Sequence, residues 1–163
     1  MATTGNLTDV SHHRTRAAGI DRMNAESEIR NLLDQVVEAA SAKVIDALMR
    51  HYARDVVAFD VVDPLQYSGA DALRQRGAAW FGSFDGPIRY ELVESSIAAD
   101  DSVGVYHGLS HVVGTTADGR ELDMWWRTTY GLRKAGGSWL IVHVHSSVPF
   151  NPSSGKASLG LKP

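Results

Sequence analysis

Apolar positions along the chain fall into two regimes. Over residues 24–55 they recur at helical spacing, and over most of the remainder they alternate with polar ones. Ile29, Leu32, Leu33, Val36, Val37 and Ala40 follow the i, i+3, i+4 rule behind Asn24, a good N-cap. Glu26 and Glu28 fall in the first turn, where the helix dipole favours acids. Ser41 restarts the pattern, and Val44, Ile45, Leu48, Met49 and Tyr52 mark a second helix ending near Arg54 and Asp55. The run DVVAFDVVD then reads as a strand, with Val57, Phe59 and Val61 set against Ala58, Asp60 and Val62. Ser68 with Asp71 resembles a capping box opening a third, short helix, whose inward stripe is Ala70, Leu73, Gly77, Trp80 and Phe81.

Four strand runs follow, over residues 88–99, 103–114, 122–132 and 139–148. Asp100-Asp101, Asp118-Gly119 and Ala135-Gly136-Gly137 separate them, and all three are turn chemistry. Hairpin-linked strands after helices predict an α+β fold in which a curved, mainly antiparallel sheet wraps around three N-terminal helices. In the last run, period-2 reading puts Trp139, Ile141, His143, His145 and Ser147 on one face. Leu140, Val142, Val144, Ser146 and Val148 take the other. The first set begins apolar and ends polar, as a pocket floor does. In the run 103–114 the odd positions carry the apolar character, so His107 and His111 are expected on one inward face. In the run 122–132, Trp125, Arg127 and Thr129 oppose Trp126, Thr128, Tyr130 and Leu132, and the pattern favours the second set as buried.

Composition narrows the reading. A chain of 163 residues with 44% hydrophobic content suits one domain with a full core, here placed at 24–150 between a flexible arm (1–23) and a docking tail (151–163). The tail is punctuated by Pro152, Gly155 and Pro163 and is expected to run across the domain or a partner subunit. The arm holds His12 and His13 without a packed scaffold around them, so a solvated segment is expected there rather than a metal site. The net charge of -3 offers no basic field for nucleic acid. Cysteine is absent, no apolar run approaches the ~20 residues of a bilayer span, and residues 1–22 lack a secretory h-region. A cytoplasmic protein is therefore expected.

Asp60 is the conspicuous candidate for chemistry, because an acid in an apolar strand is costly to bury unless paired, hydrogen-bonded or protonated; the other reading places it on a solvated face. The W-x-R-x-T run at 125–129, the Leu132-Arg133-Lys134 turn with Gly137 and Trp139, the segment IVHVHSSVPF and the segment FDVVDPLQYSG resemble a SnoaL-like, ketosteroid-isomerase-like domain of the nuclear-transport-factor-2-like superfamily over roughly residues 24–163. That resemblance implies a cone-shaped cavity between sheet and helices and a homodimer formed through the sheet's outer face. It also implies that Asp60, Arg127, Thr129, His143, His145 and Ser147 point inward, which overrides the bare pattern at Arg127. Val144 stands where members carry an acid between the two histidines, and so makes the outer face more apolar.

The implied activity is cofactor-free acid–base catalysis on a small apolar or aromatic carbonyl compound, of isomerase, cyclase or dehydratase type. Asp60 would be the base, His143 or His145 would relay the proton, and Arg127 would hold the developing oxyanion. Tyr67, Trp80, His107, Trp125, Thr129 and Ser147 would contact the substrate, with Tyr67 or Tyr106 as a hydroxyl donor. One alternative is a non-catalytic ligand-binding or dimerisation module in which an Asp60–Arg127 pair and the histidines are a polar brace. Another is a metal site built on His143-x-His145 with His107 or Asp60.

Overall fold

The computed structural model describes the backbone of residues 8–163 and the side chains of residues 23–163. Helices α1 (Thr8–Ser41) and α2 (Ile45–Met49) lead into β1 (Tyr52–Phe59), β2 (Tyr67–Ser68) and α3 (Ala70–Gly82). Strands β3 (Phe84–Ala99), β4 (Val103–Thr116), β5 (Glu121–Ala135) and β6 (Ser138–Ser147) complete the chain. They form one sheet in the order β2-β1-β6-β5-β4-β3, antiparallel throughout except for the parallel β1–β6 pair. The architecture is α+β, a curved sheet holding the helices on its inner face. Among the described residues no helix is long and apolar enough to cross a membrane.

Several boundaries differ from the sequence expectation. Helix α1 is under way at Thr8 rather than Asn24, so the expected flexible arm is helical in its second part; residues 1–7 lie outside the described residues. Nothing between Thr8 and Asn24 breaks a helix, since Gly19 costs only about 1 kcal/mol and no proline intervenes. Helix α2 stops at Met49 because Tyr52 is already paired with Ile141 in the sheet. Ser68 does not cap α3. Gly69 occupies the N-cap with φ 86, a conformation that favours glycine, and its N–H is tied to the Val56 carbonyl at 2.7 Å.

The stripe of α1 is buried as its periodicity requires, with Ile29, Leu32, Leu33, Val36, Ala39 and Ala40 all in the core. Ile29, Leu33 and Val36 pack with Tyr106, Tyr130, Leu132, Trp139 and Ile141, while Ala40 packs with Phe81, Phe84, Ile88, Tyr90 and Val112.

The strand faces need two corrections. In β6, Leu132 pairs with Ile141 but Gly131 pairs with His143, so Val142 is an extra residue in the ladder. A bulge of this kind exchanges the two faces of a strand beyond it. Trp139 and Ile141 are therefore buried, as alternation predicts, but past Val142 it is Val144, Ser146 and Val148 that turn inward. In β4 the inward set is the even one, with Tyr106, Ser110 and Val112 buried, while His107 and Val105 are exposed. The apolar odd positions misled because the inner face of β4 uses small residues to admit its neighbours. A Cβ on Gly104 would lie 2.6 Å from Ile29 Cδ1 of α1.

The tail folds back on the domain. Asn151 organises a loop closed by a Phe150–Ala157 bridge, with its Oδ1 accepting from Ser153 N–H (2.9 Å) and Ser154 N–H (3.1 Å). Lys162 then reaches Asp123 of β5 at 2.5 Å.

Candidate functional site

Between the inner sheet face and the helices lies a cavity of about 460 Å³. Its walls are mostly apolar: Val36 and Ala40 from α1, Leu73 and Trp80 from α3, Val112, Leu122, Met124 and Trp126 from the sheet, and Ala157 and Leu159 from the tail. The aromatic wall is well braced. Trp80 meets Trp126 edge-on at 6.4 Å between ring centroids, and Tyr90 tilts against Trp126 at 5.9 Å.

Among the described residues lining this cavity, two carry formal charge, Asp60 and Arg76. Asp60 sits one residue past the end of β1, on the inward parity of Val56 and Ala58, and Arg76 lies in mid α3. Arg76 Nε is 2.8 Å from Asp60 Oδ2, and both side chains are about four-fifths covered (21% and 19% exposed). The other carboxylate oxygen, Oδ1, accepts from Val61 N–H at 2.6 Å. The Arg76 Nε–H is buried yet makes no hydrogen bond, so the pair is a charge contact with the N–H aimed off the carboxylate.

A second polar feature crosses the sheet. Ser146, Thr128, Ser110 and Tyr90 stand on adjacent strands β6, β5, β4 and β3, all on the inner face. Ser110 bonds Thr128 at 2.6 Å and Tyr90 at 3.1 Å, both buried contacts. The Tyr52, Tyr90 and Tyr130 phenols gather beside this row. Burial pushes each one's pKa up, most of all that of Tyr130, so they remain neutral donors in any ordinary buffer.

Of the residues singled out from sequence, the cavity brings together Asp60 and Trp80. The others lie elsewhere. Arg127, Thr129 and Trp125 are on the outer face of β5, because the inward set there is Trp126, Thr128 and Tyr130, as the bare alternation indicated and the family resemblance overrode. His143, His145 and Ser147 are turned outward by the Val142 bulge. Phe59 packs edge-on against His143 at 4.9 Å and His145 at 5.8 Å on that outer surface. His107 is exposed on β4. Tyr67 donates to the Asp63 carbonyl at 2.8 Å in the loop before β2, and Tyr106 is a core residue stacked on Tyr130. Asp60 therefore pairs with Arg76, not Arg127. His143 and His145 lie across the sheet from Asp60, so the alternative metal site is not assembled, and among the described residues no three His, Asp or Glu side chains are arranged to hold a metal ion.

His111 has a different role from the one its neighbours suggested. It lies under Trp125, the rings stacked at 3.9 Å and 11°, with Nδ1 3.1 Å from Glu91 and Nε2 2.9 Å from Asp123. This is a brace across β3, β4 and β5 on the outer face.

Arg76, the hydroxyl row and the three phenols were missed by sequence reasoning. Arg76 did leave a signal. It lies three residues after Leu73 and four before Trp80, a charge on the inward stripe of α3.

A cone of this shape with a largely apolar cavity between sheet and helices is the architecture of the small NTF2-like proteins. Residues 29–151 match the SnoaL-like domain, and the chain belongs to that family. An NTF2-like protein of unknown function from Pseudomonas putida KT2440 is similar over 86% of this chain and 98% of its own, at 33% identity and a TM-score of 0.79. A ketosteroid isomerase-like protein from Erwinia carotovora atroseptica SCRI1043 covers 75% of this chain with 94% of its own, at 20% identity and a TM-score of 0.65. An NTF2-like superfamily protein from Salmonella enterica serovar Typhimurium LT2 covers 83% of this chain with 98% of its own, at 15% identity and a TM-score of 0.70. The last two likenesses are of fold alone. No curated protein matches the chain.

Proposed function

We propose that the protein is a cofactor-free acid–base enzyme for a small apolar carbonyl compound, with Asp60 as the base and Arg76 as the group that steadies the oxyanion. The observation that carries this reading is the isolated Asp60–Arg76 pair in an otherwise uncharged, largely apolar cavity. Asp60 removes a proton from the carbon beside the carbonyl; the C–H electron pair moves into the carbonyl, and the enolate oxygen faces the guanidinium. The protonated Asp60 then returns its proton, to the same carbon or to another, which gives exchange or isomerisation. The apolar walls of Trp80, Trp126 and Leu159 lower the local dielectric and so strengthen these interactions. Trp80 is the one substrate contact from the sequence reading that this proposal keeps.

The test is deuterium uptake by β-tetralone in heavy water, followed by proton NMR. Exchange above the buffer rate is expected, abolished by Asp60→Asn and unaffected by His143→Ala or His145→Ala, which lie outside the cavity. Exchange that survives Asp60→Asn removes the role assigned to that carboxylate.

One observation favours a second reading. A guanidinium in contact with Asp60 is also what a polar brace in a non-catalytic binding module looks like. Binding of ketones with no exchange in the unaltered protein would select that reading. Under either, we propose a homodimer through the outer sheet face, where Phe59 and Val105 remain substantially exposed, with subunit number read by native mass spectrometry.

A further inference from the structure

Part of the cavity wall belongs to no helix and to no strand of the sheet. Arg127 of β5 pairs with Ser147, where β6 ends, so residues 121–126 of β5 have no β6 residue beside them. Leu122 and Met124 of that stretch line the cavity. The C-terminal tail reaches this gap: Ala157 and Leu159 line the cavity, and Lys162 Nζ donates to Asp123 Oδ2 at 2.5 Å. Leu159 and, in the loop after β1, Val62 both line the cavity while remaining 51% and 47% exposed, so the boundary between cavity and water passes both of them.

The tail is held in two unequal parts. Residues 149–158 form a closed turn, in which Asn151 N–H donates to the Lys156 carbonyl, Gly155 N–H to the Asn151 carbonyl and Ser158 N–H to the Pro149 carbonyl, each at 2.8 Å. For residues 159–163 the hydrogen bonding to the domain, among the described residues, is the Lys162–Asp123 contact alone, and it is largely exposed to solvent, as is Leu161. A segment with few buried apolar contacts and one solvent-screened ion pair opens at much lower free energy than the ladders of a sheet. Asp123 is anchored independently. Its Oδ1 meets His111 Nε2 at 2.9 Å, so the catch stays in place when the tail leaves it.

We propose that residues 159–163 are a strap across the cavity mouth, latched by Lys162 on Asp123, and that ligands enter and leave when the strap swings out about the closed turn. The mouth lies at the charged end of the cavity. Phe59 is level with His145 in the parallel pair, so Asp60, the next residue, comes level with Ser146, close to where the chain leaves β6 for the tail. The proposal concerns access and holds whether or not the cavity is catalytic.

Stopped-flow uptake of N-phenyl-1-naphthylamine, an uncharged dye that brightens in apolar surroundings, tests the strap. While the closed strap predominates with and without dye, loosening the latch raises entry and exit rates by one factor and leaves Kd unchanged. Lys162→Gln should raise both rates about two- to fivefold, the range of an exposed ion pair, with Kd constant to within about twofold. In the unaltered protein, raising sodium chloride from about 0.02 to about 0.5 M should do the same by screening the pair, and in Lys162→Gln it should not. Lys156→Gln removes the same charge from the closed turn and should leave both rates unchanged. Rates indifferent to both Lys162→Gln and salt, an equal response to Lys156→Gln, a change in Kd without faster entry, or no dye uptake at all would each overturn the proposal. The salt series on the unaltered protein decides the matter even if the variant fails to fold. Accelerated dye rates with no deuterium uptake by β-tetralone would uphold the strap and remove only the enzymatic reading.

Discussion

The Asp60–Arg76 contact makes a quantitative claim about stability. At 2.8 Å and about four-fifths coverage, the pair lies between two known regimes. Exposed ion pairs contribute below about 1 kcal/mol. Truncating one partner of a fully buried pair costs about 3–5 kcal/mol, because the remaining charge is left in low dielectric. Partial solvent access and the Val61 N–H already bound to Asp60 put Arg76→Met near 2 kcal/mol, an order-of-magnitude figure. Asp60→Asn keeps the shape and should cost about 1 kcal/mol, since a guanidinium tolerates partial exposure better. In the double variant no uncompensated charge remains, so its loss should fall short of the sum by about 1–2 kcal/mol. For a chain of this size each kcal/mol corresponds to about 2–4 °C in Tm. Urea unfolding of the four proteins, followed by far-UV circular dichroism, measures the cycle. Additivity within about 0.5 kcal/mol would refute the reasoning, because it would mean that the charges do not interact energetically despite their contact.

Two further expectations concern the scaffold. Gly108→Ala should destabilise by about 2–3 kcal/mol, since its Cβ would lie 2.5 Å from Tyr106 Oη and 2.9 Å from the Val93 carbonyl; Gly131→Ala, whose Cβ would first meet His143 Cβ at 3.3 Å, should cost well under half of that, and equal losses in thermal melts would contradict this packing. Glu28 accepts from Lys134 Nζ at 2.5 Å and Trp139 Nε1 at 2.7 Å, and these bonds hold its pKa below the ordinary 4.5. Its folded pKa is depressed, so the stabilisation is present above the unfolded value and is lost as pH falls through and below 4.5. Glu28→Gln should therefore flatten the acid side of a plot of urea midpoint against pH; an unchanged acid slope would count against these bonds.

Much of the fold was legible because its signals are local. The stripe of α1 runs from Ile29 to Ala40 in one register, and the hairpin turns carry Asp118-Gly119 and Ala135-Gly136-Gly137, whose three glycines all adopt positive φ. The inward set of β5 was also legible. Trp126, Thr128 and Tyr130 form the more coherent apolar series, and local alternation outperformed the family resemblance that turned Arg127 inward. The site was less legible, and each failure has a cause in sequence-distant packing. His143 and His145 were assigned inward by an unbroken count of two, and the count breaks at Val142, where β6 must match β5 on one side and β1 on the other. His107 was assigned inward because the outer face of β4 carries more valine than its inner face, which trades bulk for the close approach of α1 at Gly104.

The sequence by itself determined the order and type of the elements apart from the short β2, the apolar stripe that α1 presents to the sheet, and the presence of an acid at Asp60 on the parity of Ala58. Those follow from periodicity and turn chemistry, which act over a few residues. Only the tertiary structure decided which face of β6 looks into the cavity, that Asp60 meets Arg76 from α3 sixteen positions later, and that Ser146, Thr128, Ser110 and Tyr90 fall into one row. Strand register and bulges set those relations, and register is fixed by the whole sheet closing around its helices rather than by any one strand.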